Sequence, residues 1–501
     1  MAVNGSKFGP CRNESYFHRI RSETPRILVV YGRKRRRNDI RFDRPGTRSD
    51  NNVNSNARST DAGASHYLPS QPPPPHNRVK DDFPNESTTV DHDNYTSAIQ
   101  TTADTSPNYG VDKRLNKIVH DPIFTSHLTL MRCFSDDSID PSPDPILDRF
   151  CLQILHEIHH KIQWLNLESS SVKRILLATN YPNLFELGLY DIEIETALSL
   201  FIGESCLDSI HKNQISSLVV DITKYEKIIS RDDANIRLFT HIFTMLSNLQ
   251  HLSFCPSSFW YQRLLFCNPY PDIKSSTLLE LHICLKRFSD CLYLLDGHFN
   301  KLHTLHVDID TIISSSDLTN NNQGKLPDLK RFSLYCRMPT NTYNTLIEPF
   351  LQRMSNLEKL CLNVICDKKT FTDGNELKQS IINHMPRLER FEFYICSGIA
   401  VRNRIYLPSK DDIQHTFRDF KDDQVISYVD YFQKDPYSFC HIYLYPGQLK
   451  YYYNVTNNFP GGLFTCVRQI SLYDDRPFEH EFFLRIAESF PILKMLSLKK
   501  F

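Results

Sequence analysis

Twelve short segments of this 501-residue chain repeat one apolar spacing, a hydrophobic residue followed at +3 and +5 by two more. The series begins Ile162/Leu165/Leu167, Leu184/Leu187/Leu189, Ile215/Leu218/Val220, Leu249/Leu252/Phe254, Leu278/Leu281/Ile283 and Leu302/Leu305/Val307. It continues Leu329/Phe332/Leu334, Leu357/Leu360/Leu362, Leu388/Phe391/Phe393, Phe439/Ile442/Leu444, Val467/Ile470/Leu472 and Leu493/Leu496/Leu498. Most starts lie 22 to 34 residues apart. Recurrence at that period defines a stacked unit, a short strand plus its connector, that cannot bury its apolar face without neighbours. The fold predicted for residues 146–501 is α/β: an irregular solenoid with parallel strands on a concave side and helices on the convex side.

The connectors read as helices. Ile236, Phe239, Ile242, Phe243 and Leu246 precede one strand at helical spacing, as do Phe478, Phe482, Ile486 and Phe490 before the last. DPILDRFCLQILHEIH starts with Asp144 as a candidate N-cap and Pro145 in the first turn, and Ile146/Phe150/Ile154/Ile158 mark one apolar face. Tight turns rich in Pro and Asn (YPNL, LSNL, MSNL, MPRL, FPIL) stand just before several strands. The 51 residues between Leu388 and Phe439 break the rhythm and predict a degenerate repeat or an insertion.

Upstream the character differs. Residues 1–110, with NNVNSN and Pro72–Pro75, read as a disordered arm, and 111–145 as a helical linker. Residues 1–60 hold 14 Lys and Arg against 5 Asp and Glu, leaving 44 against 53 for the remainder, a basic arm on an acidic body. The run Arg33, Lys34, Arg35, Arg36 and Arg37 suits nuclear import or phosphate binding, or is simply a solvated tail. Sequence-specific nucleic-acid reading is not expected, because no reading helix or zinc framework accompanies the run. Fourteen cysteines without a CxxC pair, no signal-peptide core and no apolar run of membrane-spanning length predict an intracellular protein, cytoplasmic or nuclear. On that reading the sequons at Asn13, Asn85, Asn94 and Asn454 are chance.

The units across 146–501 resemble leucine-rich repeats of the longer, helix-containing kind, and irregular repeats like these are similar to those of F-box/leucine-rich-repeat proteins. VDKRLNKIVHDPIFTSHLTLM (111–131) resembles the last helix of an F-box and its exit into the repeats. The box's opening, a helix beginning Leu-Pro-x-Glu, has no match, since Leu68-Pro69-Ser70-Gln71 runs into four prolines. The resemblance implies a substrate-recognition subunit of a cullin-RING ubiquitin ligase that docks on the ligase adaptor. The alternative is a free-standing leucine-rich-repeat scaffold whose basic arm suits nuclear import.

Residues at +2, +4 and +6 of each unit point away from the core, because strand side chains alternate. Tyr190, Tyr335, Tyr394, Tyr445 and Tyr473 all occupy +6, and Trp164, Tyr443, Arg331, Arg390, His282, His306, Asp221 and Asp308 hold nearby outward positions. Tyr, Trp and Arg dominate binding hot spots, so these residues predict a protein-binding groove on the concave face. The competing explanation is that tyrosine simply suits strands. His156-Glu157-Ile158-His159-His160 matches H-E-x-x-H, but it lies at a helix end and has no third ligand nearby. Neither a metal-ligand set nor a cofactor loop is expected, and the chain reads as a non-catalytic recognition protein.

Overall fold

The computed structural model describes residues 125–498 except 134–138, 142–143, 203–212, 223–231, 257–262, 268–269, 315–328, 401–406, 421–424, 433–436, 445–448 and 450. All of these residues fall within one compact unit. The basic run Arg33–Arg37 and the whole 1–110 segment lie outside them.

The described strands are β1 (His127–Thr129), β2 (Met131–Cys133), β3 (Ile139–Pro141), β4 (Trp164–Glu168), β5 (Glu186–Ile192) and β6 (Ser217–Ile222). Next come β7 (His251–Pro256), β8 (Glu280–Arg287), β9 (Thr304–Thr311), β10 (Arg331–Cys336), β11 (Lys359–Lys368) and β12 (Arg390–Ala400). The last are β13 (Val425–Tyr431), β14 (Tyr437–Leu444), β15 (Tyr451–Val455), β16 (Gln469–Leu472) and β17 (Met495–Leu498). The chain is α/β, with a mostly parallel twelve-stranded sheet in the order β1-β4-β5-β6-β7-β8-β9-β10-β11-β12-β14-β13. Within that sheet the antiparallel pairs are β12–β14 and β14–β13. A second sheet, β15-β16-β17, is parallel and three-stranded.

One backbone device recurs at each step. Two successive N–H groups at the strand entry donate to one carbonyl of the preceding unit. Phe185 and Glu186 bond Gln163 O, Ser216 and Ser217 bond Phe185 O, and Gln250 and His251 bond Ser216 O, at 2.8–3.1 Å. The same pair of bonds appears at Leu279/Glu280, His303/Thr304, Lys330/Arg331, Glu358/Lys359 and Glu389/Arg390, and again at Lys494/Met495 in the second sheet. The Pro- and Asn-rich tetrapeptides form the turn before β5, β7, β11, β12 and β17. The Leu184 N–H donates to Tyr181 O, Leu357 to Met354 O, Leu388 to Met385 O and Leu493 to Phe490 O. Proline or a small polar residue fits the turn centre, where φ near −60° is required.

Outside the tenth triplet, the first apolar residue therefore lies in the turn, and the next two face inward from the strand. Leu184, Leu187 and Leu189 are at most 2% exposed, as are Leu249, Leu252 and Phe254. At about 2 kcal/mol for each buried leucine, such stacking outweighs the weak strand preference of any single unit. The connectors cover this face as expected. Helix Asp232–Met245 buries Leu238, Phe239 and Ile242, and helix His480–Ser489 buries Phe482 and Ile486. Near Asp144 the predicted face shifts register. Phe150–Ile154 is a π-helical stretch, so Leu155 is buried in place of Ile154, which is only half-buried.

Three expectations are corrected. Residues 127–129, 131–133 and 139–141 of the expected helical linker are strands: β1 extends the sheet beside β4, and β2 pairs with β3. The tenth triplet is not a repeat unit, because Phe439 lies inside β14, where +3 reverses the facing of the side chain. The eleventh and twelfth triplets are genuine units but belong to the second sheet, so the twelve do not form one continuous sheet. Asn454 is buried on β15, inaccessible to glycosylation in the folded chain. Among the described residues no helix is long and apolar enough to cross a membrane.

Candidate functional site on the outward sheet face

Register fixes which outward residues meet. The first outward row runs Trp164, Glu186, Ser217, His251, Glu280, Thr304, Arg331, Lys359 and Arg390, each the direct partner of the next. The second runs Asn166, Gly188, Val219, Ser253, His282, His306, Ser333, Cys361 and Glu392. The third includes Asp308, Tyr335, Asn363, Tyr394 and Tyr443.

The three rows differ in fate. Arg331 and Arg390 are exposed, and Arg390 Nε sits 2.6 Å from Glu392 Oε1. Trp164 is half-buried. It packs edge-on against His127 at 5.5 Å and donates from Nε1 to Asn166 Oδ1 at 2.8 Å. Asn166 in turn donates to Thr129 Oγ1, and Gly188 leaves the space this network occupies: a Cβ there would lie 2.2 Å from Asn166 Oδ1. Tyr190 is half-buried at the end of the same region.

The tyrosine stripe is not an open groove. Tyr394 and Tyr443 are fully buried beneath the second sheet, where Tyr394 donates to Tyr453 O at 3.0 Å. The Tyr335 hydroxyl meets that of Tyr453 at 2.8 Å. Tyr473 lies just past β16 in the second sheet, edge-on to Phe432 and Phe439. Asp308 accepts from the buried Arg263 guanidinium at 2.8 Å. Tyr445 lies outside the described residues. The reason is physical: side chains from the second sheet cover the third row, and tyrosine supplies both apolar area and a hydroxyl that bonds across the layer.

What stays accessible is a groove of about 500 Å³ over β5–β8, lined by Phe185, Glu186, Ser217, Val219, His251 and Glu280 among others. His282 and Glu280 meet at 2.5 Å, and His251 Nδ1 lies 3.6 Å from the other Glu280 oxygen. The hydrogen bond from His282 holds the Glu280 carboxyl below the usual carboxylate range, against a partial burial that raises it. Burial raises Glu186, with His127 and His251 pulling it back. His282 and His306 stack at a tilt with ring centres 4.1 Å apart. Ligand atoms of Glu280, His282 and His306 all lie within 4.8 Å of one another. The sequence reading placed His282 and His306 on the outward face but did not join them. The available signal was their shared +4 position in adjacent units, with Glu280 at +2.

The H-E-x-x-H spacing assembles no such cluster. The helix ends at Ile158 and His159–Lys161 forms a 3-10 turn, so His160 leaves the face that carries His156. His159 Nδ1 lies 2.7 Å from Asn180 O, while His156, Glu157 and His160 face solvent.

The fold and this face define an α/β protein with a mostly parallel sheet whose outward side is partly uncovered. No family profile, curated protein or solved structure matches the chain.

Proposed function

We propose that the chain is a non-catalytic recognition protein, a leucine-rich-repeat solenoid that binds another protein along the first outward row of β4–β12, where the entry ends of the strands stay uncovered. The observation that carries this reading is the register-aligned first row, which presents Trp164, His251, Glu280, Arg331, Lys359 and Arg390 side by side on a backbone fixed by paired strands. A rigid row of aromatic, acidic and basic groups offers hot-spot chemistry without a large ordering penalty. The charges also segregate, with Glu186 and Glu280 toward one end and Arg331, Lys359 and Arg390 toward the other. That polarity favours a partner surface with the opposite arrangement.

The resemblance to F-box/leucine-rich-repeat proteins extends this to a substrate receptor of a cullin-RING ubiquitin ligase. Its mechanism would be positional, holding a target so that a separate enzyme's transfer becomes effectively intramolecular. One observation favours the second reading, a free-standing scaffold: within the segment likened to an F-box exit, His127–Thr129 form strand β1, paired to β4. Affinity purification of the full chain tests both. Recovery of the cullin adaptor with other partners supports the receptor, and partners recovered without the adaptor support the scaffold. Unchanged recovery after combined Trp164→Ala, Arg331→Ala and Arg390→Ala substitution rejects the face as the binding surface.

A further inference from the structure

We propose that Glu280, His282 and His306 form a binding site for a divalent transition-metal ion of the zinc type. The proposal goes beyond the recognition reading and does not depend on it. Two imidazole nitrogens and one carboxylate oxygen form a ligand set suited to zinc and its neighbours, whereas calcium and magnesium take oxygen ligands. The three donors come from adjacent strands: Glu280 and His282 stand two residues apart on β8, and His306 is the direct partner of His282 on β9.

Both strands lie inside the sheet and are paired on each side, so the ligand backbones are held before any ion arrives. The donor atoms already lie within 4.8 Å of one another. Tetrahedral zinc requires roughly 3.3 Å between donors, so the Glu280–His282 contact of 2.5 Å must open and the wider separations must close, adjustments of about 1 Å that side-chain rotation supplies without strand movement. His251, with Nδ1 3.6 Å from the second Glu280 oxygen, sits where a supporting group orients a metal-bound carboxylate. His282 and His306 are half-buried, so an ion has a path to them from solvent.

The test uses the full chain, stripped with a chelator and titrated with zinc by calorimetry and with cobalt by visible absorption. A single zinc site and the intense visible bands of four-coordinate cobalt are expected. The double variant His282→Ala/His306→Ala should lose both signals with unchanged circular dichroism. Glu280→Gln, which preserves shape, should weaken zinc by at least about tenfold, since even groups behind a ligand matter 10–100-fold. His156→Ala/His160→Ala should change neither signal. Absence of cobalt bands in the wild-type chain, their persistence in the double variant, or their loss in the His156/His160 variant would each overturn the assignment.

Discussion

Strands β4–β10 and strands β11–β14 belong to one sheet, yet they solve different burial problems. In the first group several strands alternate, as in Arg331–Cys336, where buried Phe332, Leu334 and Cys336 alternate with exposed or half-buried Arg331, Ser333 and Tyr335, although Asn166 and Thr304 on the outward face are buried by local contacts. In the second group burial is continuous, from Leu362 to Cys366 on β11, Phe393 to Ile399 on β12 and Ser438 to Tyr443 on β14. A strand covered on one face alternates, and one covered on both does not. The covering layer is aromatic: Tyr428, Tyr443, Tyr452, Phe459, Phe464 and Phe490 pack with Tyr394 between the sheets. One sheet is thus largely open on its outward face at one end and sealed by a second layer at the other.

The largest expected effect lies in the sealed end. Tyr452→Ala removes a fully buried ring that contacts Tyr394, Tyr443, Phe459 and Phe464, and should cost about 3–5 kcal/mol in urea unfolding. A loss below about 1 kcal/mol would mean that the second sheet does not seal the first. Gly188→Ala comes next, since its methyl would meet Asn166 Oδ1 at 2.2 Å and Tyr190 Cε2 at 2.6 Å. Overpacking there should destabilise by about 1–2 kcal/mol and loosen the Trp164 network, read as a shift in tryptophan fluorescence.

The sealed end also sets a pH signature. Burial pushes Asp430 up to about 7, opposed by hydrogen bonds from Thr456 and Asn458, and pushes His441 down to about 3. Asp430 keeps its proton in the fold after the unfolded chain has lost it, so its contribution declines as pH rises from about 4 to about 7. His441 stays neutral in the fold while the unfolded chain takes up a proton, so its contribution is lost as pH falls from about 6.5 toward 3. Across the shared window the two slopes oppose each other. Asp430→Asn removes one of them, so stability should rise with pH between 4 and 6.5 more steeply than in the wild type, by about one bound proton. Parallel curves for the two proteins in urea titrations at pH 4.5, 5.5 and 6.5 would contradict the Asp430 assignment. The smallest stability effect belongs to the open face: Arg331→Ala should change unfolding free energy by less than about 0.5 kcal/mol while reducing partner capture.

The sequence carried the first nine units because each places its leading apolar residue in a turn and its next two on one strand face. It misread Phe439/Ile442/Leu444 because a doubly covered strand matches any apolar template by chance, and β14 is one. It could not separate Tyr394 and Tyr443 from surface residues, since alternation gives the face on which a side chain stands and not what lies above it. Val364, Ile365 and Cys366 in succession were the legible warning that a second layer covers β11. The cluster Glu280, His282 and His306 was hidden for another reason. Residues 24 positions apart become neighbours only when two units are set in register.

Hydroxyl-radical footprinting of the full chain tests the contrast between the two ends most directly. Oxidation should be strong at Trp164, His251 and His282 and near background at Tyr394, Tyr443 and Tyr452. Comparable oxidation of both groups would contradict the account, because it would mean that no second layer seals the far end of the sheet.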